Sequence, residues 1–357
     1  MQDLSPDDEE LLKFIERSKP KIYIVGAGGS GSNTINRLYN IGVAGATLIA
    51  MNTDAAHLLK IKAHKKLLLG KKSTRGLGAG SDMKVGEEAA MESKDEIKEL
   101  LRDAQMVFIT CGLGGGTGTG SAHVIAKEAK DNGALVTAIV TLPFSSEGKT
   151  RMKNALEGLN KLRKVADATI IIKNDKLLNF AGDMPLNMAF RLCDEVLANA
   201  TKGIVEMITK PGMVNIDFAD LKAVLKDAGY AVIGIGEAYN APGTPNSNKN
   251  LNRGMLAIDN VVKSPLLDID LTTAKKALVH IIGGESLTLR EAESIVQEIS
   301  SRISKDALLK FGARIDTDLQ KDSIRIILVL AGVNFPDLTE ESINNTIKSL
   351  DEIDKMF

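Results

Sequence analysis

Short runs of β-branched and aliphatic residues punctuate the first half of the chain at Ile22–Val25, Thr47–Met51, Met106–Thr110, Leu135–Thr141 and Thr169–Ile172. They are apolar throughout instead of alternating, which is the pattern of strands covered on both faces. Helix-like stretches such as Val85–Arg102 and Ala122–Asn132 separate them. The expectation is a doubly wound α/β domain with a largely parallel sheet over residues 20–180. Apolar residues then recur at Leu186, Ala189, Cys193, Val196, Ala200, Ile204 and Met207. Intervals of three and four place them on one stripe of a long helix, Leu186–Ile208. Pro211-Gly212 stops it, so 181–221 reads as a central helix with a following loop.

Strands near Ala231–Ile235, Ala277–Ile282, Leu308–Ile315 and Ile324–Leu330, with a helix at Leu289–Ile303, predict a smaller α+β domain over 222–335. Their spacing is hairpin-like. The stretch Asn240–Gly254 holds two Pro and five Asn and reads as an exposed loop. Residues 1–19 and the tail 336–357, helical from Glu340, read as charged peripheral segments.

Charge narrows the function. Lys and Arg total 45 against 46 Asp and Glu, so no global field exists to hold a phosphate backbone or an anionic membrane. Aromatics are 4% with no Trp, a poor base for stacking nucleic acid. Nucleic acid is therefore not expected as a partner. Cys111 and Cys193 lie far apart with no ligand cluster near either, and the four His show no metal-ligand spacing, so no protein-held metal is expected. The start lacks a signal-peptide pattern, and the longest apolar run, Ile324–Val333, carries Arg325. The expected location is cytoplasmic, without direct membrane insertion.

Two glycine-rich loops carry the chemistry. After the first strand, Gly26, Gly28 and Gly31 satisfy G-x-G-x-x-G at a strand–turn–helix junction. That geometry brings backbone N–H groups and a helix N-terminus to a phosphate. Alone it equally fits an NAD-type Rossmann oxidoreductase, with Asp54 as the ribose-binding acid. The second loop, Gly112 to Gly120, has six Gly in nine residues, followed by Ser121. So much glycine is costly to order, and the return is a run of exposed N–H donors with the Thr117 and Thr119 hydroxyls. The loop lacks the G-K-[ST] ending of a Walker A motif, and a dinucleotide enzyme needs only one phosphate loop.

The run GGGTGTGS at 114–121 resembles the signature of the tubulin/FtsZ superfamily, and the chain is similar to its FtsZ branch, the prokaryotic cell-division GTPases. Asn52-Thr-Asp54, Gly76-Leu-Gly-Ala-Gly80, Pro143-Phe144 with Glu147-Gly-Lys-Thr-Arg151, Asn174-Asp175-Lys176 and Asn215-Ile-Asp-Phe-Ala-Asp220 follow in the family's order. The likeness covers residues 20–333. Ser30, Ser32, His123 and Lys173 depart from the common pattern, and no short apolar-basic adaptor motif stands at the C-terminus.

The resemblance implies a Rossmann-like GTPase domain, a long central helix and a smaller α+β C-terminal domain. It places Gly28, Gly29, Ser30, Gly31, Ser32 and Asn33, with Gly115, Gly116, Thr117, Gly118 and Thr119, at the phosphates of GTP or GDP. Asn52 and Asp54 join the nucleotide site, and Ala79-Gly80 lies near the γ-phosphate. Mg²⁺ is expected on phosphate oxygens and water. Glu147 and Arg151, four apart and so on one face of a helix, read by themselves as a surface ion pair; the resemblance puts Glu147 at the ribose and Arg151 beside the nucleotide. Asn187, Phe190 and Asp194 share one helix face. Phe190 is then a purine stack, and Asp194 the acceptor for guanine N1–H and N2–H₂, donors adenine lacks; Asn174 is a further candidate there. Asn215, Asp217 and Asp220 either begin and cap a helix or, as the resemblance implies, complete the next subunit's active site. The latter requires head-to-tail filaments. The partners implied are other copies of the chain and division proteins or membrane adaptors at a mid-cell ring. A poorly hydrolysing scaffold of the same fold is the other alternative.

Overall fold

The computed structural model of the chain describes residues 20–181, 184–239, 249–264, 266–267 and 269–354. Among the described residues ten strands form one sheet: β1 (Ile22–Ala27), β2 (Ala46–Asn52), β3 (Lys65–Leu68), β4 (Met106–Gly112), β5 (Leu135–Leu142), β6 (Ala168–Lys173), β7 (Gly229–Tyr239), β8 (Lys276–Gly283), β9 (Leu308–Ile315) and β10 (Ser323–Ala331). Their spatial order is β3-β2-β1-β4-β5-β6-β7-β10-β8-β9. The first six are parallel in the 3-2-1-4-5-6 order of doubly wound folds. Such sheets bind ligands beyond the strands' carboxyl ends where the order reverses, here between β1 and β4.

The second half continues the same sheet. Strand β7 pairs parallel with β6 through three residue pairs, Ala168↔Gly229 to Ile170↔Ala231, and antiparallel with β10 through nine. No hairpin forms among β7–β10: β10 inserts between β7 and β8, and β8–β9 are parallel. The β7–β8 and β8–β9 connections contain the helices Lys249–Val262 and Leu289–Arg302, and β9 reaches β10 across β8 through the loop 316–322.

Two layers of apolar side chains cover the sheet. One contains the helices Thr117–Asp131 and Lys149–Arg163 and continues through Ala257, Val261, Ile295 and Ile299. The other contains the long helix Leu186–Thr209, whose Leu197, Ala200 and Ile204 are fully buried, with Ile327 and Val329 of β10.

Some expected elements differ. The stretch 85–102 is two helices, Met83–Glu92 and Lys94–Leu100, broken at Ser93, whose hydroxyl accepts from the Gly70 N–H at 3.0 Å. Within 240–254, residues 240–248 lie outside the described residues, but a helix, Lys249–Val262, runs through the rest. Its Arg253 is fully buried and bidentate on Glu291 (2.6 and 2.7 Å). Residues 249–254 are therefore helix, not exposed loop, and a buried carboxylate on the neighbouring helix Leu289–Arg302 draws the arginine in. The tail helix Glu340–Asp354 forms, anchored by the fully buried Ile343. The arm 1–19 lies outside the described residues.

Candidate functional site

Strand β1 delivers the chain straight into the helix Gly28–Ile41, and β4 leads through Leu113–Gly116 into the helix Thr117–Asp131. Neither helix has a side-chain N-cap or an acidic residue in its first turn. Their first N–H groups and dipole ends are left for an external anion. The two loops touch: Gly28 has φ +72°, and a Cβ there would stand 2.6 Å from the Gly118 nitrogen. Gly29 and Gly115 differ, since a Cβ at either would meet nothing within 4 Å. These two face open space.

That space is a cleft of about 420 Å³ at the β1/β4 reversal point. Of the sequence candidates, Gly29, Ser30, Asn33, Gly115, Gly116, Thr117, Gly118, Glu147, Arg151, Asn174, Phe190 and Asp194 line it. Gly28, Gly31, Ser32, Asn52, Asp54, Ala79, Gly80 and Thr119 do not. Gly31 packs on the Thr110 carbonyl, and Ser32 is fully buried. The Asp54 carboxylate caps the helix Ala55–Lys60 through the His57 N–H at 2.9 Å. The Asn52 side-chain oxygen Oδ1 accepts from the Thr53 N–H at 2.9 Å. Thr119 accepts from the Gly114 N–H at 2.9 Å, so its hydroxyl shapes the loop. The Thr117 hydroxyl pairs with that of Thr53 at 2.6 Å. Ala79 packs against Gly116, where a Cβ would stand 2.9 Å from the Ala79 methyl, while Gly80 looks into open space.

At the other end of the cleft, Asp194 accepts from Ser30 Oγ (3.0 Å) and Asn33 Nδ2 (3.3 Å). Burial raises its pKa above the ordinary carboxylate value against the pull of those bonds. Phe190 stands edge-on to Phe144, ring centres 5.7 Å apart, and remains 39% exposed, leaving an aromatic face uncovered. The Asn187 side chain lies outside the described residues. Glu147 ends a short 3₁₀ turn, and Gly148 (φ +98°) separates it from the helix Lys149–Arg163. The shared helix face expected for Glu147 and Arg151 is therefore absent, yet the pair still forms, and Glu147 also accepts from the Phe144 N–H. Asn174 is 6% exposed, and its side-chain oxygen has no partner among the described residues, leaving a buried acceptor in the cleft wall.

The sequence reading missed Thr141 and His57. Thr141 lines the cleft from the carboxyl end of β5, a position the parallel topology marks. His57 bridges Asn52 Nδ2 and Asn33 Oδ1, each at 3.0 Å, and so steadies the amide that meets Asp194. Cys193 lines the cleft too, but burial first, then the charges of Asp194 and Glu147, push its thiol up to about 12. A protonated thiol at neutral pH is no nucleophile.

Asn215, Asp217 and Asp220 lie elsewhere and do not line the cleft. Their loop is tied to β9 by Val214–Ala313 bonds, and Asn215 accepts from the Gly212 N–H at 2.7 Å. Asp217 caps the helix Phe218–Leu225 in a reciprocal box with Asp220. Asp220 also meets Lys310 Nζ at 2.8 Å, which holds its pKa below the ordinary value.

Residues 21–182 match the GTPase domain of the Tubulin/FtsZ family, and residues 229–334 match the C-terminal domain of the FtsZ family. The chain belongs to the FtsZ family. Cell division protein FtsZ 1 of Methanocaldococcus jannaschii is 52% identical to this FtsZ-family chain over 331 residues, 93% of this chain and 88% of that protein. FtsZ 1 of Thermococcus kodakarensis is 53% identical over 92% of this chain and 85% of its own length. An empty FtsZ dimer from M. jannaschii superposes with a TM-score of 0.84 at 51% identity, covering 94% of this chain and 96% of that one. A GTPγS-bound CetZ2 protofilament of Haloferax volcanii gives 0.80 at 22% identity over 94% and 99%, a likeness of fold alone. The chain is thus a tubulin-like cell-division GTPase that binds guanine nucleotide. The oxidoreductase alternative falls with that assignment. Among the described residues no helix is long and apolar enough to cross a membrane.

Proposed function

We propose that GTP lies along this cleft and is hydrolysed only when a second copy docks head to tail. The triphosphate would rest on the two uncapped helix starts through Gly29–Asn33 and Gly115–Gly118, with Ala79-Gly80 over the γ-phosphate. Glu147 and Arg151 would hold the ribose, Phe190 the base, and Asp194 with Asn174 its polar edge. Among the described residues no three His, Cys, Asp or Glu gather to cage a metal. Mg²⁺ would arrive on the substrate's own phosphates.

One observation supports the shared site above all. Among the described residues the carboxylates lining the cleft are Glu147 and Asp194, both assigned to the nucleoside. None lines the phosphate loops to orient water. Asn215, Asp217 and Asp220 lie off the cleft on a loop the subunit does not use for its own nucleotide. Presented to a neighbour, they would polarise the attacking water, and a contact of that kind repeats into a filament. The proposed setting is the mid-cell division ring, with division proteins or membrane adaptors as further partners.

Phosphate release across protein concentration, with light scattering on the same samples, tests this. Specific activity is expected to rise steeply with concentration. Asp220→Ala is expected to bind GTP within about twofold of the unchanged protein and hydrolyse it at least about tenfold more slowly. Mixing Asp220→Ala with the binding-defective Asp194→Ala forms complete sites where an intact pocket meets intact acids, so mixtures are expected to exceed the summed activities. Concentration-independent rates with merely additive mixtures would mean the acids only cap their helix.

A further inference from the structure

The helix Lys149–Arg163 carries four residues on one face, at intervals of three, four and three: Arg151, Asn154, Gly158 and Lys161. Each meets part of the nucleotide apparatus. Arg151 lines the cleft beside Glu147. Asn154 Nδ2 donates to the Ser81 carbonyl at 3.2 Å. Gly158 packs against the Thr119 methyl so closely that a Cβ there would collide with it. Lys161 Nζ meets Glu87 at 2.5 Å, and Glu87 also accepts from His123 Nε2 at 3.1 Å. Although burial opposes it, the pull of Lys161 and His123 holds Glu87 below the usual carboxylate range.

The Asn154 contact falls on a constrained part of the chain. Ser81 has φ +65° without being glycine, at the end of a segment where Gly76, Gly78 and Gly80 are also left-handed. A non-glycine residue in that region is strained and persists only where its surroundings hold it. The turn it closes, Asp82 N–H to Ala79 carbonyl at 2.8 Å, lies directly on the second phosphate loop. A Cβ at Gly116 would stand 2.8 Å from the Asp82 carbonyl and 2.9 Å from the Ala79 methyl. Residues 79–82 therefore cannot shift without moving off Gly116, and a side chain from another helix grips them from outside the cleft.

We infer that Asn154 is a positioning residue for γ-phosphate recognition: its amide holds Ser81 in the strained turn that sets Ala79-Gly80 against the phosphate loop. The inference rests on the proposed placement of Ala79-Gly80 at the γ-phosphate. Diphosphate does not reach that turn, so the residue acts on triphosphate alone. Lys161 and Glu87 fix the same helix to the segment that follows the turn. The ribose end and the phosphate end of the site are thereby mounted on one rigid rod.

The test measures affinities for GTPγS and GDP, with thermal stability in the absence of nucleotide, for the unchanged protein, Asn154→Asp, Asn154→Ala, Asn160→Asp and Gly80→Ala. Asn154→Asp keeps the shape and replaces the donor with an acceptor facing a carbonyl. Both Asn154 variants are expected to lose about three- to tenfold in GTPγS affinity, the worth of one hydrogen bond. GDP affinity is expected to stay within about twofold, with stability nearly unchanged. Asn160, on the same helix and bonded to Arg163, serves as the matched control and is expected to leave both affinities unchanged. Equal losses for both nucleotides would make Asn154 merely structural and overturn the inference. If Gly80→Ala weakens GTPγS selectively while Asn154→Asp leaves the ratio unchanged, the turn reads the γ-phosphate without help from Asn154. If neither variant changes the ratio, the placement of Ala79-Gly80 fails, and the inference with it.

Discussion

Asp194 shows how a single side chain trades stability for recognition. Burial raises its pKa, so its contribution to folding is complete only below the unfolded value near 3.8 and is lost as pH rises through the higher folded value. The nucleotide-free protein therefore holds a carboxylate whose charged form is poorly solvated, a cost that guanine's two donors would compensate. Asp194→Asn is expected to raise the melting temperature without nucleotide by about 1–3 °C while weakening GTP binding at least about tenfold. Differential scanning fluorimetry and nucleotide titration check both; an unchanged GTP affinity would remove Asp194 from the base site. Thr117 carries a different lesson. Its sequence position suggests a hydroxyl kept for phosphate, but the hydroxyl is already paired with Thr53 in a buried contact. Thr117→Val would strand the Thr53 hydroxyl, so a stability loss of about 1–2 kcal/mol is expected in urea unfolding, alongside weaker nucleotide binding. Sequence could mark Thr117 as belonging to the loop; it could not show which neighbour would use the hydroxyl, because Thr53 lies 64 residues away.

Among elements, legibility followed hydrophobic pattern. The long helix was plain because 24 residues repeat one apolar stripe, and β1, β2, β4, β5 and β6 were plain because buried parallel strands are uniformly apolar. The helix Lys149–Arg163 left no such trace: Lys and Arg crowd it, and part of its buried face is Ala155 and Gly158. The polar start of Lys249–Val262 misled for the opposite reason, since its arginine is core. Both cases turn on tertiary partners that no local window contains. The Arg253–Glu291 pair is what docks two helices of the second half against each other, with Arg253 also bonded to Ser286 at 2.8 Å. Removing Glu291 leaves the buried guanidinium with Ser286 and the more distant Asp322 (4.0 Å) but without its bidentate carboxylate, so Glu291→Ala is expected to cost about 3–5 kcal/mol in chemical unfolding. An apolar double replacement, Arg253→Met with Glu291→Leu, is expected to recover most of that loss. A loss below about 1 kcal/mol for Glu291→Ala would mean the arginine finds solvent, contrary to its burial.

At the scale of the molecule, two family patterns meet in one sheet, and the backbone join between them is narrow. Only three residue pairs link β6 to β7, whereas side chains from both halves interleave on each face, Leu156 and Ile171 with Val261 and Ile281 on one side, Ile204 with Ile327 on the other. Cohesion across the join is thus a matter of packing more than of strand pairing. Packing of that extent is lost all at once, because parting the halves would bare apolar surface on both faces together. Calorimetry of the dilute, unassembled protein is accordingly expected to show one endotherm whose calorimetric and van't Hoff enthalpies agree, and two resolved peaks would contradict it. The boundary that separates the two sequence patterns would then leave no mark on the heat-absorption curve: the chain matches two family modules but melts as one.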